Sequence, residues 1–186
     1  MAPKARREGD QLRGELLAAA TELASAPRPV TIPSLRAIAR ACDVSATAVY
    51  RHFPSQADLN RALLLRVHAA FEESVLDHDD PTLTGPERLR AMARAYVNWG
   101  LAQPGMYQLL FESKDQLDEE SSISDVADRL LPLAAELLGG EDEVERLWTG
   151  LHGIVSLRLH KPHTVWRYDA ETEAGRLAAT LSRTGV

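Results

Sequence analysis

The chain has 186 residues, 45% of them apolar and 26% charged, with a formal net charge of −6. This length suits one domain or two small ones and excludes a large two-lobed enzyme; the single cysteine, Cys42, excludes an internal disulfide framework and a CxxC zinc site and fits a reducing compartment. No apolar run approaches the roughly 18 residues of a membrane span, and the basic start through Arg7 meets Glu8, Gly9 and Asp10 where a secretion signal would turn apolar, so a cytoplasmic protein without membrane association is expected.

Apolar spacing is helical along the chain and no segment alternates like a strand, which predicts an all-α fold of about nine helices. Leu12, Leu16, Leu17, Ala20, Leu23 and Ala24 mark a first helix over 9–25, ended by Pro27 and Pro29. Ser34 and Ser45 each stand where a hydroxyl can cap a short helix, the second running to about His52. Pro54 and Ser55 open a long helix to His78 with Leu59, Leu63, Val67, Phe71 and Val75 inward; its 24 residues reach about 36 Å, enough to join two modules. A loop over 77–86 precedes a helix with Leu89, Met92, Tyr96 and Val97, interrupted at Gln103-Pro104-Gly105. Asp115 to Glu120 reads as loop, and helices are expected at 122–138, 142–160 and 169–183.

Residues 35–53 fit a helix-turn-helix. Ala39 is small where a second helix crosses closely, Asp43 occupies the tight turn, and Val44 and Val49 pack the pair. Ser45, Ala46, Thr47, Tyr50, Arg51 and His52 then fall on a face that a DNA major groove admits, with Ser34, Arg36 and Ser55 beside it; short side chains allow close approach and Tyr, Arg and His offer groups to phosphate or base edges. A buried three-helix core without ligand is the alternative. For Arg36 and Arg40 a solvated surface role competes with phosphate contact, and Lys4, Arg6 and Arg7 read equally as a DNA-reaching arm or a free tail. Residues 1–66 carry ten Lys/Arg against six Asp/Glu, a local +4, whereas the remainder carries −10, so an anionic partner suits the head alone.

With Ile38-Ala39, Val44-Ser45, Tyr50-Arg-His-Phe53 and Ser55-Gln-Ala-Asp-Leu59, residues 10–65 resemble the DNA-binding head of the tetracycline-repressor (TetR) family. Two positions depart from its pattern: Asp43 replaces the usual turn Gly, and Gln56 replaces a Lys that commonly meets a phosphate. The resemblance implies a head over 1–54 and a regulatory body over 55–186. It further implies a homodimer on a double-stranded, palindromic operator, released by a small apolar or aromatic effector, with no cofactor. Trp148 with His152-Gly153, and Tyr96-Val-Asn-Trp99 with Gln103-Pro-Gly-Met-Tyr107, resemble the subclass carrying a C-terminal Trp…His-Gly domain.

Candidate effector residues are Met92, Tyr96, Trp99, Met106, Tyr107, Phe111, Trp148 and His152, since small-molecule sites combine aromatic walls with few polar groups; the same residues at helical spacing also serve as plain core. Trp148, Leu151, His152 and Val155 share one expected helix face. Leu147, Gly150, Ile154 and Leu157 share another, assigned with Leu177 and Leu181 to a two-fold interface. His152, His160 and His163 make a poor metal set, broken by Pro162, so no metal is expected. No nucleophile elbow, Walker loop or HExxH occurs; a small helical enzyme using Glu119 and Glu120, and a DNA-binding module without effector, are the competing readings.

Overall fold

The computed structural model describes residues 4–25, 32–112 and 129–182, with side chains from residue 9 onward. Over these residues the chain forms nine α-helices and no strand: α1 (Lys4–Ala24), α2 (Leu35–Ala41), α3 (Ala46–His52), α4 (Gln56–Leu76), α5 (Gly85–Ala102), α6 (Pro104–Phe111), α7 (Leu130–Leu138), α8 (Glu141–His160) and α9 (Ala170–Leu181). The expected acidic loop 115–120, the Glu119–Glu120 pair, residues 122–128 of the expected seventh helix and the side chains of Lys4, Arg6 and Arg7 lie outside the described residues.

Two compact units share these helices. The first contains α1, α2, α3, the part of α4 up to His68, and α6; the second contains α4 from Ala69, α5, α7, α8 and α9. Thus α4, about 32 Å long at the standard rise, contributes to both, and α6 belongs with the N-terminal helices.

In the first unit Leu16, Leu17, Ala20 and Ala24 of α1, Leu35 and Ile38 of α2, Val49 of α3, Phe53, and Leu59, Leu63, Leu64 and Val67 of α4 are buried. These are the positions that helical spacing selects, and α1 packs on α2 while α2 packs on α3. Leu23, expected on the inner stripe, is exposed at the stripe's edge. Where α6 begins, a side chain at Gly105 would meet the backbone of Ser25, its carbonyl oxygen 2.6 Å away, so only glycine lets the two chain segments lie this close.

In the second unit α5, α7, α8 and α9 pack on one another, most extensively α5 on α9. The start of α5 is fixed by Thr84, whose N–H and hydroxyl donate to the Glu87 carboxylate at 3.0 and 2.7 Å. Pro86 therefore lies at the helix start, where its missing N–H costs nothing. Gly139 ends α7 in the left-handed region at φ 82°, and Asp169 caps α9 by accepting from Thr172 N–H at 2.7 Å. On α8 the buried stripe is Val144, Leu147, Leu151 and Val155, which cuts across both expected faces. Their three- and four-residue steps form one continuous ridge against the neighbouring helices, and this leaves Trp148 and Leu157 about half exposed (47% and 51%).

Candidate nucleic-acid interface

The helix-turn-helix is assembled by local polar bonds. Ser34 and Ser45, both extended in backbone, accept from Ala37 N–H and Ala48 N–H at 3.2 Å and so cap α2 and α3. Between the helices Asp43 sits at φ 53°, the left-handed geometry expected for this turn, while Val44 N–H donates to Ala39 O at 3.0 Å. The Cys42 thiol, donating to Glu15 O at 3.9 Å, has its pKa raised by burial and then by the Glu15 charge, which keeps it protonated.

With Val49 and Phe53 buried, the other side of α3 is open. Ser45, Ala46, Thr47, Tyr50 and Arg51 are exposed, Tyr50 at 46%, and His52 is part-exposed. Ser34, Arg36, Arg40 and Ser55 are exposed as well. Ser55 is engaged in capping α4: its hydroxyl and N–H both donate to Asp58 Oδ2, at 2.7 and 3.0 Å. Two features of the unit had no signal in spacing alone. The Arg13 guanidinium lies over the Phe53 ring at 5.0 Å, and Gln56 turns back toward α2.

The candidate effector residues fall into three groups. Met92, Tyr96 and Trp99 are buried in the second unit, where Phe71 meets the Tyr96 and Trp99 rings edge-on at 5.2 and 5.1 Å. Met106, Tyr107 and Phe111 belong to the first unit, the last two rings tilted at 4.9 Å. Trp148 and His152 lie on α8 with ring centroids 6.1 Å apart. Phe71 is the member of this aromatic set that helical spacing placed inward without marking it as part of the cluster.

Of the candidate interface residues, Leu147 and Leu181 are buried within the chain. Gly150 faces the tip of Leu177 from the same chain, and Ile154 and Leu157 line a groove of about 450 Å³ with Gly150, Arg158 and Trp166. That groove is lined by none of the eight candidate effector residues. Its outer wall is held by charge and rings: Arg158 lies over Trp166 at 4.7 Å and donates to Tyr168 O at 3.1 Å, and Arg176 lies over the Tyr168 ring at 4.4 Å. Val165 beside it is 97% exposed.

Elsewhere in the second unit, buried Glu72 accepts from the Arg129 backbone N–H at Oε1 and from its Nε and Nη2 at Oε2, at 2.6 to 3.2 Å. Arg88 grips Asp79 with two bonds, which hold that carboxyl below the usual range. His160 Nδ1 donates to Ser156 O at 2.8 Å. Among the described residues no helix is long and apolar enough to cross a membrane, and no three His, Cys, Asp or Glu side chains are grouped to hold a metal ion.

Known proteins bear on this arrangement directly. Residues 16–63 match the family model described as bacterial regulatory proteins, tetR family, and residues 89–181 match the tetracyclin repressor-like C-terminal domain. No curated protein matches the chain. Similar solved structures include a TetR-like transcriptional regulator from Rhodococcus sp. RHA1, at 22% identity and TM-score 0.68 over 100% of this chain and 98% of that one. Another is a tetR-family transcriptional regulator from Streptomyces coelicolor, at 17% identity and TM-score 0.72 over 92% and 79%. A third is the ketosteroid transcriptional regulator KstR2 of Mycobacterium tuberculosis, at 16% identity and TM-score 0.59 over 93% and 94%. At these identities the solved structures establish the fold, and the two family models, one covering the helix-turn-helix and one half of the chain, establish that it belongs to the TetR family of DNA-binding transcription regulators.

Proposed function

We propose that the protein is a cytoplasmic homodimeric repressor that binds a palindromic operator through paired α2–α3 heads and leaves it when a small effector binds. Residues 1–54 form the DNA-binding part and 55–186 the regulatory part, of the Trp…His-Gly type. The observation that carries the reading is the open face of α3: Val49 and Phe53 commit one side to the core, while Ser45, Ala46, Thr47, Tyr50 and Arg51 stay exposed. Two such heads in a two-fold dimer would meet successive major grooves about 34 Å apart.

The reading of a second copy as partner draws on α8. Its first turn carries Glu141, Asp142 and Glu143 and its last turn Arg158 and His160, so two antiparallel copies would set acid against base at both ends. The exposed Leu157 and Trp148 supply apolar surface for that pairing. For the effector, the Phe71, Tyr96 and Trp99 cluster with Met92 suits an apolar or aromatic molecule, which shifts the operator equilibrium only by its differential affinity for the two states.

Selection of bound duplexes from a random library by the purified protein tests the reading, followed by a small-molecule screen for release. Enrichment of a two-fold symmetric sequence, with affinity falling steeply as salt rises, is the expected result. Tyr50→Ala should weaken binding to that sequence while the protein still sediments as the wild type does. A flat salt response or no enriched duplex would remove the DNA reading.

A further inference from the structure

Gln56 occupies the first residue of α4, where a phosphate contact would place a cation, yet its side chain serves the protein. Its Oε1 accepts from Leu35 N–H at 3.2 Å, and its Nε2 donates to Pro33 O at 3.1 Å and to Asn60 Oδ1 at 2.9 Å. Leu35 is the first residue of α2, and its N–H is one of the four that a helix start leaves without an intrahelical acceptor. Ser34 satisfies a second, from Ala37. Asn60, one turn further along α4, is buried and fixes the amide from behind.

One amide group thus grips the entry of α2 by both a carbonyl and an N–H. The residue type is dictated by this double role: lysine has no acceptor for Leu35 N–H, and an ionised glutamate has no donor for Pro33 O. Because α2 passes through the tight Asp43 turn directly into α3, this grip joins α3 to the start of α4 by a second route besides the short 53–55 link.

We infer that Gln56 is a positioning residue for operator recognition, pinning the entry of α2 to the start of α4 so that any displacement of α4 there is carried into α3. It does this without touching DNA. The inference rests on the reading of α3 as the helix that meets the operator.

The test uses the full chain and the duplex that the wild-type protein selects from a random library, with an unrelated duplex for non-specific binding. Gln56→Met, close in shape but making none of the three hydrogen bonds, should bind the selected duplex on the order of tenfold more weakly, with non-specific binding unchanged. Gln56→Lys should also bind more weakly, with the same slope of log affinity against log salt as the wild type. Tighter binding by Gln56→Lys with a slope steeper by about one would show that position 56 faces a phosphate, and would overturn the inference. In Gln56→Met the Leu35 amide hydrogen should exchange with solvent faster than in the wild type, and equal exchange would also overturn it. If the wild type enriches no duplex, the regulator reading falls and the positioning role falls with it. If it enriches one and both variants bind it like the wild type, only the positioning role is lost.

Discussion

In the first unit α2 and α3 are seven residues each, too short to bury a full apolar stripe, and their ends are fixed by serine hydroxyls, the Asp43 turn and the Gln56 amide. In the second unit α5 and α8 run to 18 and 20 residues, and their neighbours are held by long apolar ridges, edge-on rings and guanidinium–carboxylate pairs. Helix length shifts the balance between these solutions, since α5 and α9 carry side-chain caps as well. A short helix satisfies its terminal N–H groups with neighbouring side chains, which fixes its direction closely and leaves one face free. A long helix presents enough ridge for packing to dominate.

Removing the centre of the aromatic cluster strikes the second solution hardest. Phe71→Ala should lower stability by about 3–5 kcal/mol in denaturant unfolding, as expected when a buried aromatic leaves a cavity; a loss no larger than that of a surface substitution would mean that the cluster is not a packing centre. Two glycines compare the units next. Gly105→Ala drives a methyl into the Ser25 backbone and should cost about 1–3 kcal/mol, while Gly150→Ala meets only a movable leucine tip and should stay within about 1 kcal/mol of the wild type. Equal effects in the two variants would erase the distinction. At the turn, Asp43→Ala should be about 1 kcal/mol less stable than Asp43→Gly, because alanine tolerates the left-handed region poorly. Equal midpoints for the two would show that the turn relaxes.

Acid should produce the smallest change, through four carboxylates of the second unit. There Asp79 is held low by its hydrogen bond to Arg88, Asp80 by the Thr82 hydroxyl, Glu87 by the Thr84 hydroxyl, and Asp169 by Thr172 N–H. A carboxylate held low in the folded state adds stability above its unfolded pKa, near 4, and loses that contribution as pH falls through the folded value. Asp79→Asn should therefore be less stable than wild type at pH 7, with the gap narrowing as pH falls through the acid range below about 4. A gap that stays constant from neutral pH to the acid limit of folding would count against the Arg88 pair.

Much of the fold is legible in single residues. Ser34, Ser45 and Asp43 announce the caps and the turn because each acts on backbone within three residues of itself. Boundaries shift where local rules compete: α1 starts at Lys4 rather than at 9 because a polar helical turn carries no periodic signal, and α5 starts at Gly85 because the Thr84–Glu87 bonds turn a Gly-Pro pair into a helix opening. Contacts distant in sequence leave no trace in spacing. The Glu72–Arg129 pair joins positions 57 residues apart, and Gln56 looks inward because residues 21 and 23 places earlier await it. On α8 the spacing identified an apolar excess but misassigned its faces, since Leu147, Trp148, Leu151 and Ile154 are adjacent around the helix and only the neighbours choose among them.

The three tryptophans, Trp99, Trp148 and Trp166, all belong to the second unit, one buried and two open to solvent. The molecule therefore carries its own optical reporter, and that reporter sees only one half. Emission excited at the red edge of the spectrum will follow the environment of α5, α8 and the segment between α8 and α9. Helices α2 and α3 contribute tyrosine alone. A tryptophan change on adding DNA would consequently arise in the unit that does not contain α3, a readout that needs no label.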